Sequence, residues 1–351
     1  MGGRSRLAAS FALYPLLFLL LWAEARGQGI PVPTVRLALQ RSALIPEAHN
    51  GAMELPLKCD RQGNVYVQQY WGGKPGAAPI VKISRNGKGV TRFALESDHG
   101  YQKGDWAHGF AVGPSGELYW LAGPESGHPE ILIFRSDGGY DRSIELDTPA
   151  GADPFSIAVV SSEEFLISGV VEHPHGGAPD TPFAALFDEA GNLVRSIAGM
   201  AGGQTESGAT KARGPQVEDS ANLREVSAAP DGNIYLFQPG SKAGTLWVIS
   251  SNGDLLRRVR LTPPVKGAAP LTMTAGAGRV IIDFEQTDKA GNVLRDIYSL
   301  YDPLTGDRLL DYEAATASNL GVLACYTNDE HFVFLKGDSL GRLEIQTAAP
   351  E

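Results

Sequence analysis

The stretch "APDGNIYLF", residues 229–237, recurs with variations along the chain, as "DRQGNVYV" at 60–67 and as "GPSGELYW" at 113–120. Each copy is an apolar strand, a tight turn built on Gly with Asn, Asp or Glu, and a second strand rich in β-branched and aromatic residues. The turn residues tolerate the positive φ that hairpins need, so each copy reads as a β-hairpin. The full set is "LPLKCDRQGNVYVQQYW", "GFAVGPSGELYWLAG", "SIAVVSSEEFLISGVV", "VSAAPDGNIYLFQP", "LTMTAGAGRVIIDF" and "GVLACYTNDEHFVFL".

A second hairpin follows each of the first five after a variable loop. It reads "IVKISRNGKGVTRFAL" at 80–95, "ILIFRSDGGYDRSIEL" at 131–146, "AALFDEAGNLVRSIAG" at 184–199, "LWVISSNGDLLRRVRL" at 246–261 and "IYSLYDPLTGDRLLDY" at 297–312. Each repeat is then a four-stranded antiparallel meander with a period near 50 residues, in the range of propeller blades. The sixth copy ends after "LEIQT", 343–347, and lacks a fourth strand, whereas "TVRLALQ" at 34–40 is a strand with no repeat of its own. A closed ring, in which the N-terminal strand completes the last sheet, removes both exposed edges.

The expected fold is therefore all-β, a six-bladed β-propeller over 51–349, with blades at about 51–98, 105–148, 153–199, 222–263, 268–314 and 319–347 plus 34–40. Helical repeats are excluded, because the chain after the leader sustains no 3.6-residue apolar period. At "HGFAVGPSGELYWL" followed by "IFRSDGGYDRSIEL" the chain resembles the NHL-repeat and TolB-like propellers. That resemblance covers roughly 51–347 and implies architecture rather than activity, because such propellers include scaffolds, receptors and enzymes.

The chain has 351 residues, 30 basic and 40 acidic, for a net charge of -10. No cationic run interrupts this acidic background, which argues against nucleic acid and anionic membranes as partners. Residues 1–25 follow a different rule: Arg4 and Arg6 precede the apolar stretch 7–22, and Ala23-Glu24-Ala25 supplies small residues at a cleavage site. That is the layout of a secretory signal peptide, and its apolar stretch of 16 residues is short of the ~20 that span a bilayer. The expected destination is secreted or periplasmic. Removal of 1–25 takes two arginines and one glutamate and moves the charge from -10 to -11; nothing later is apolar enough to span, and 26–50 is an N-terminal segment carrying the closing strand.

Export makes Cys59 and Cys325 candidate disulfide partners. They fall on the first strands of the first and sixth repeats, neighbours across the closure. Packed sheets, however, sit about 10 Å apart, bridged Cα atoms lie within about 7 Å, and the two positions differ by one residue within the repeat. The expectation is two buried free thiols.

In such a meander the short turns gather at one end of the ring and the longer loops at the other. Those loops are 70–79, 96–108, 122–130, 170–183 and above all 199–225, a long flexible inter-blade segment poor in apolar residues. His49, His99, His108, His128, His173 and His175 map to this end, and His331 to the other. Positions just before the first strands ring the channel mouth: Glu54, His108, Asp153, Arg224 with Glu225, Thr272 and Asn319. Such a ring suits a divalent cation, Ca or Zn, or a polar substrate; a solvated polar rim has the same composition. Asp105 and Trp106 precede the second repeat, and Tyr70, Trp71, Tyr101 and Trp106 offer stacking surface for a sugar or peptide, or anchor their own loops. His173 and His175, two apart on an extended segment, would need a third ligand from another loop, such as His99 or His108, to hold a metal.

"MELPLKCDRQGNVYV" resembles the start of the gluconolactonase-like propellers. That resemblance implies a metal-ligating role for Glu54 and a metal-dependent hydrolase or lyase activity. This chain departs from that pattern, with Arg224 where those enzymes place an asparagine and without their Asn-Asp ligand pair. Two functions follow: a non-catalytic module that captures a protein, peptide or glycan on the long-loop end, and a metal-dependent enzyme at the channel mouth.

Overall fold

The computed structural model describes residues 32–45, 52–70, 79–95, 106–123, 128–149, 151–161, 163–171, 181–198, 225–229, 232–240, 243–276, 278–314, 320–337 and 342–351. The expected leader and the 199–224 part of the long loop lie outside them. All described regular structure is strand. The closing strand is β1 (Thr34–Ile45). Four sheets follow, each a meander with its strands in chain order: β2–β5 (Ala52–Cys59, Val65–Tyr70, Ile80–Ile83, Val90–Phe93), β6–β9 (Trp106–Val112, Leu118–Gly123, Glu130–Phe134, Tyr140–Glu145), β10–β13 (Ala152–Ser161, Glu164–Val171, Thr181–Asp188, Leu193–Ala198) and β14–β17 (Glu225–Ala228, Ile234–Gln238, Gly244–Ile249, Leu255–Leu261). The remaining strands are β18–β21 (Ala268–Gly276, Arg279–Thr287, Val293–Tyr301, Arg308–Ala314) and β22–β24 (Val322–Tyr326, Phe332–Gly337, Leu343–Pro350). With β1 they form one eight-stranded sheet in the order β18-β19-β20-β21-β1-β24-β23-β22.

The opening phrase shows why the strands form. A strand sends alternate side chains to opposite faces. Ile234 and Leu236 pack toward β10–β13, with Leu166, Leu186 and Ile197. Tyr235 and Phe237 pack toward β18–β21, with Ile282, Phe284 and Ile297. Both faces of the sheet are covered, so the strand reads as a continuous apolar run. Equivalent layers lie between β2–β5 and β6–β9 around Trp120 and Phe93, and between β6–β9 and β10–β13 around Phe165 and Phe187. Two more join β18–β21 to the β22–β24 set around Tyr298 and Phe332, and that set back to β2–β5 around Val67 and Leu335. The first strands touch in the succession β2, β6, β10, β14, β18, β22 and back to β2.

The recurrent turn is a three-residue hairpin loop with glycine in the left-handed region. In Asp60–Asn64 the Gly63 amide donates to the Asp60 carbonyl, and the Asp60 carboxylate accepts from the amides of Gln62 and Asn64. Asp188–Asn192 and Asp288–Asn292 repeat this pattern atom for atom. The last of these departs from expectation. It joins β19 to β20, second strand to third, where a long loop belongs, and both strands run to nine residues. The result is a long hairpin at the long-loop end.

The closing strand also extends beyond its expected bounds of 34–40. It pairs antiparallel with β24 through Ile45↔Leu343, with a bulge at Leu39/Arg41, and β24 itself runs to Pro350 rather than 347. The first residues of β1, Thr34 to Leu37, pair in parallel with Asp311 to Ala314 of β21. A strand of 12 residues outruns its antiparallel partner, and its free backbone groups are satisfied by the neighbouring edge.

The expectation of free thiols fails: Cys59 and Cys325 are bridged, with Cα atoms 5.9 Å apart. The spacing of about 10 Å applies to sheets facing each other across their middles, whereas these cysteines sit on first strands, which converge toward the ring axis. The one-residue offset is visible, Cys59 pairing with Val65 and Cys325 with Val333, one beyond the strand's first residue. A bulge at Leu323/Cys325 accommodates it by turning the strand locally.

Candidate functional site

Two regions near the axis carry chemistry. At the short-turn end, the ends of the first strands enclose a cavity of about 190 Å³ lined by Lys58, Val160, Ala228, Thr274, Ala324 and Thr327, among others. Lys58 interrupts the apolar strand "LPLKC" and reaches across the axis, its Nζ donating to the Val226 carbonyl at 3.3 Å. Burial pulls its pKa below the ordinary lysine value, and the charge of Glu225 opposes that shift.

Glu225 was expected on an open rim. It is instead 5% exposed, and its Oε2 accepts from the Met273 amide at 2.6 Å. Burial raises its pKa, against the pull of Lys58 and of that amide. The inner strands close in on this position, so the carboxylate sits inside the ring, held by a backbone donor and within the electrostatic reach of Lys58.

The second region lies at the long-loop end. Asp283 and Glu285 lie two apart on β19 and therefore share a face; across the ladder, Asp283 faces Tyr298 and Glu285 faces Asp296. With Leu271, Leu320, Val322, Leu335, Lys336 and Met53 they line a pocket of about 320 Å³ between the β18–β21 and β22–β24 strands. Directly opposed like charges destabilise a ladder, and burial compounds the effect. Asp283 is 5% exposed, and its Oδ1 has no hydrogen-bond partner. Burial foremost, then Asp296, Glu285 and Glu225, hold its carboxyl well above the usual range. Asp296 is pushed up to about 6 by burial and by Glu285. Burial, and then the same carboxylates, raise the Tyr298 phenol. Arg295, beside Asp296 in sequence, is engaged by Glu313.

Of the residues expected from sequence, Asp153 lies partly buried in β10 and Glu225 is placed as above. Trp106 and His108 lie on β6 and Glu54 on β2, with side chains outside the described set. His99, Asp105, His173, His175 and Arg224 fall outside the described residues altogether. Among the described residues no three of His, Cys, Asp and Glu converge as a metal requires. Lys58, Asp283, Glu285 and Asp296 escaped sequence reasoning, although each left a signal: a charge within a strand whose repeat counterparts are mostly apolar, as in "VIIDF" and "RDIYSLY".

No protein-family model matches the chain. No curated protein matches it either. Among solved structures it is similar to a protein of unknown function from Dyadobacter fermentans, 10% identical over 90% of this chain and 99% of that one, TM-score 0.54. It is likewise similar to the luciferin-regenerating enzyme, 11% identical over 88% and 95%, TM-score 0.51. A structure of YCF48 bound to D1 peptide aligns over 92% and 98% at 11% identity and TM-score 0.46. At such identities the first two likenesses show the fold alone, a β-propeller. Among the described residues no helix is long and apolar enough to cross a membrane.

Proposed function

We propose that this chain is an exported, non-catalytic propeller that captures a protein, peptide or glycan at its long-loop end. The carrying observation is the pocket walled by Asp283, Glu285 and Asp296, where carboxylates gather without a described counter-charge of matching number. The β19–β20 hairpin that builds one wall also presents Val293 and Leu294, each nearly half exposed, as contact surface beside it. Export is supported by the leader layout of residues 1–25 and by the Cys59–Cys325 bridge, which belongs in an oxidising compartment.

Within this reading the ring has six blades of NHL-like type. The eight-stranded sheet counts as two of them, β18–β21 and β22–β24 with β1, joined by the parallel pairing of β1 and β21. The return of the inner-strand contacts to β2, and an apolar layer between every successive pair, support that count.

A second reading, carried by the gluconolactonase-like resemblance of "MELPLKCDRQGNVYV" and not by these carboxylates, is a Ca- or Zn-dependent hydrolase or lyase at the channel mouth. In that reading the metal would take ligands from Glu54 or His108. Peptide and glycan arrays probed with residues 28–351, and with a Glu285→Lys/Asp296→Lys variant, test the first reading. Ligands held by the native chain and lost by the variant place capture at this end; ligands held equally by both overturn that assignment. Stoichiometric metal, a lower Tm on chelation and turnover of lactones or esters would establish the enzyme instead.

A further inference from the structure

The binding reading above leaves the ligand's chemistry open, and the pocket narrows it. We propose that the pocket between the β18–β21 and β22–β24 strands receives a protonated primary amine on an aliphatic stem, as carried by a lysine side chain of a partner.

Three features point there independently. Asp283 Oδ1 is a buried oxygen with no partner, in a residue 5% exposed that lines the cavity. Leaving a buried acceptor unsatisfied is costly, and a ligand donor would satisfy it. The groups around it are Glu285 on the same strand, Asp296 and Tyr298 opposite, Glu225 beyond and Lys336 on the β23 wall. The charged groups acting most on Asp283 are acidic and outnumber Lys336, the one cation on the described lining, so a ligand that brings both a donor and a positive charge would satisfy the oxygen and offset that excess. An ammonium carries three donors and one charge on a compact head.

The rest of the lining selects the stem. Leu271, Leu320, Val322, Leu335 and Met53 make the walls apolar, and a long amine buries its methylenes along such walls while placing its charge at the end. The volume of about 320 Å³ sits at the lower limit of ligand pockets, roughly 300–1,000 Å³. It takes one side chain rather than a whole cofactor.

Nα-acetyl-lysine methylamide and its uncharged counterpart, Nα-acetyl-norleucine methylamide, are titrated against residues 28–351 by NMR or calorimetry. At about pH 7.5 the lysine probe binds at least roughly tenfold more tightly than the norleucine probe. Asp283→Asn and Asp296→Asn each lower lysine affinity several-fold and leave norleucine affinity unchanged, with Tm confirming that both variants fold. Acidification to about pH 5 weakens the lysine probe, because the carboxyls take up protons that the amine must displace. If Asp283→Asn does not fold, this pH dependence of the native chain decides. Equal affinity for the two probes, a preference for Nα-acetyl-arginine methylamide, or no binding of the lysine probe overturns the inference. If the arrays still show capture that depends on Glu285 and Asp296, the binding reading stands without it.

Discussion

Gly191 and Gly291 occupy the same place in nearly identical turns, "DEAGN" and "DKAGN", with φ of 83° and 85°. A Cβ at 291 meets nothing, whereas at 191 it would run into the Glu145 carbonyl oxygen of the adjacent sheet. Gly291→Ala should therefore cost only the left-handed strain, about 1–2 kcal/mol, and Gly191→Ala distinctly more, compared by denaturant unfolding. In the sixth repeat the turn position belongs to Glu330, the only described non-glycine at positive φ, 59°. Glu330→Gly should relieve strain and raise stability by roughly 0.5–1 kcal/mol in the same measurement. The turn phrase was legible in the sequence, but its surroundings were not: whether a glycine is required by φ alone or by a neighbour's backbone depends on which sheet lies next to it.

At the scale of elements, β1 and the Cys59–Cys325 bridge both tie the first residues of the structured region to the last. The bridge spans 266 residues, and a cross-link closing so long a loop constrains the unfolded chain strongly. Reduction, or Cys59→Ser, should lower stability by about 2–4 kcal/mol, seen as a lower denaturation midpoint in reductant; the unreduced chain should take up no alkylating reagent. The long β19–β20 hairpin carries its own electrostatic cost. Asp296, at about 6 against an ordinary 3.8, keeps a proton in the folded state that the unfolded chain releases. Its unfavourable contribution therefore grows as pH climbs from about 4 to about 6 and is complete above that window. Asp296→Asn should leave stability unchanged at about pH 4 and raise it by about 1–2 kcal/mol at about pH 7.5, after allowance for solvent screening. Thermal melts at both pH values check this.

On the scale of the whole molecule the ends of the ring differ in chemistry. The short-turn end holds a cavity bounded by Lys58 and the bridge, while the pocket at the other end sets Asp283, Glu285 and Asp296 against apolar walls. Carboxylates lie on both ends of the ring, so the net charge of -10 favours solubility throughout, and the local cluster of Asp283, Glu285 and Asp296 is what would draw a cationic ligand under the proposed reading. Capture through the acidic end should accordingly weaken as salt rises. The lysine-probe titration repeated across ionic strength measures that dependence.

The sequence by itself determined the strands, the repeat, the turns and the need for a closing strand, because those follow from alternation of side chains and from local backbone preference. It also raised the expectation of a ligand at the long-loop end. Only the tertiary structure decided that Glu225 is withdrawn from the rim, that Lys58 crosses the axis, that the cysteines are close enough to bridge and that Asp283, Glu285 and Asp296 share one pocket. Those outcomes depend on distances between residues on neighbouring strands and on different blades. Nothing local fixes such distances, since they are set by how closely the inner strands converge and by which neighbour covers each face.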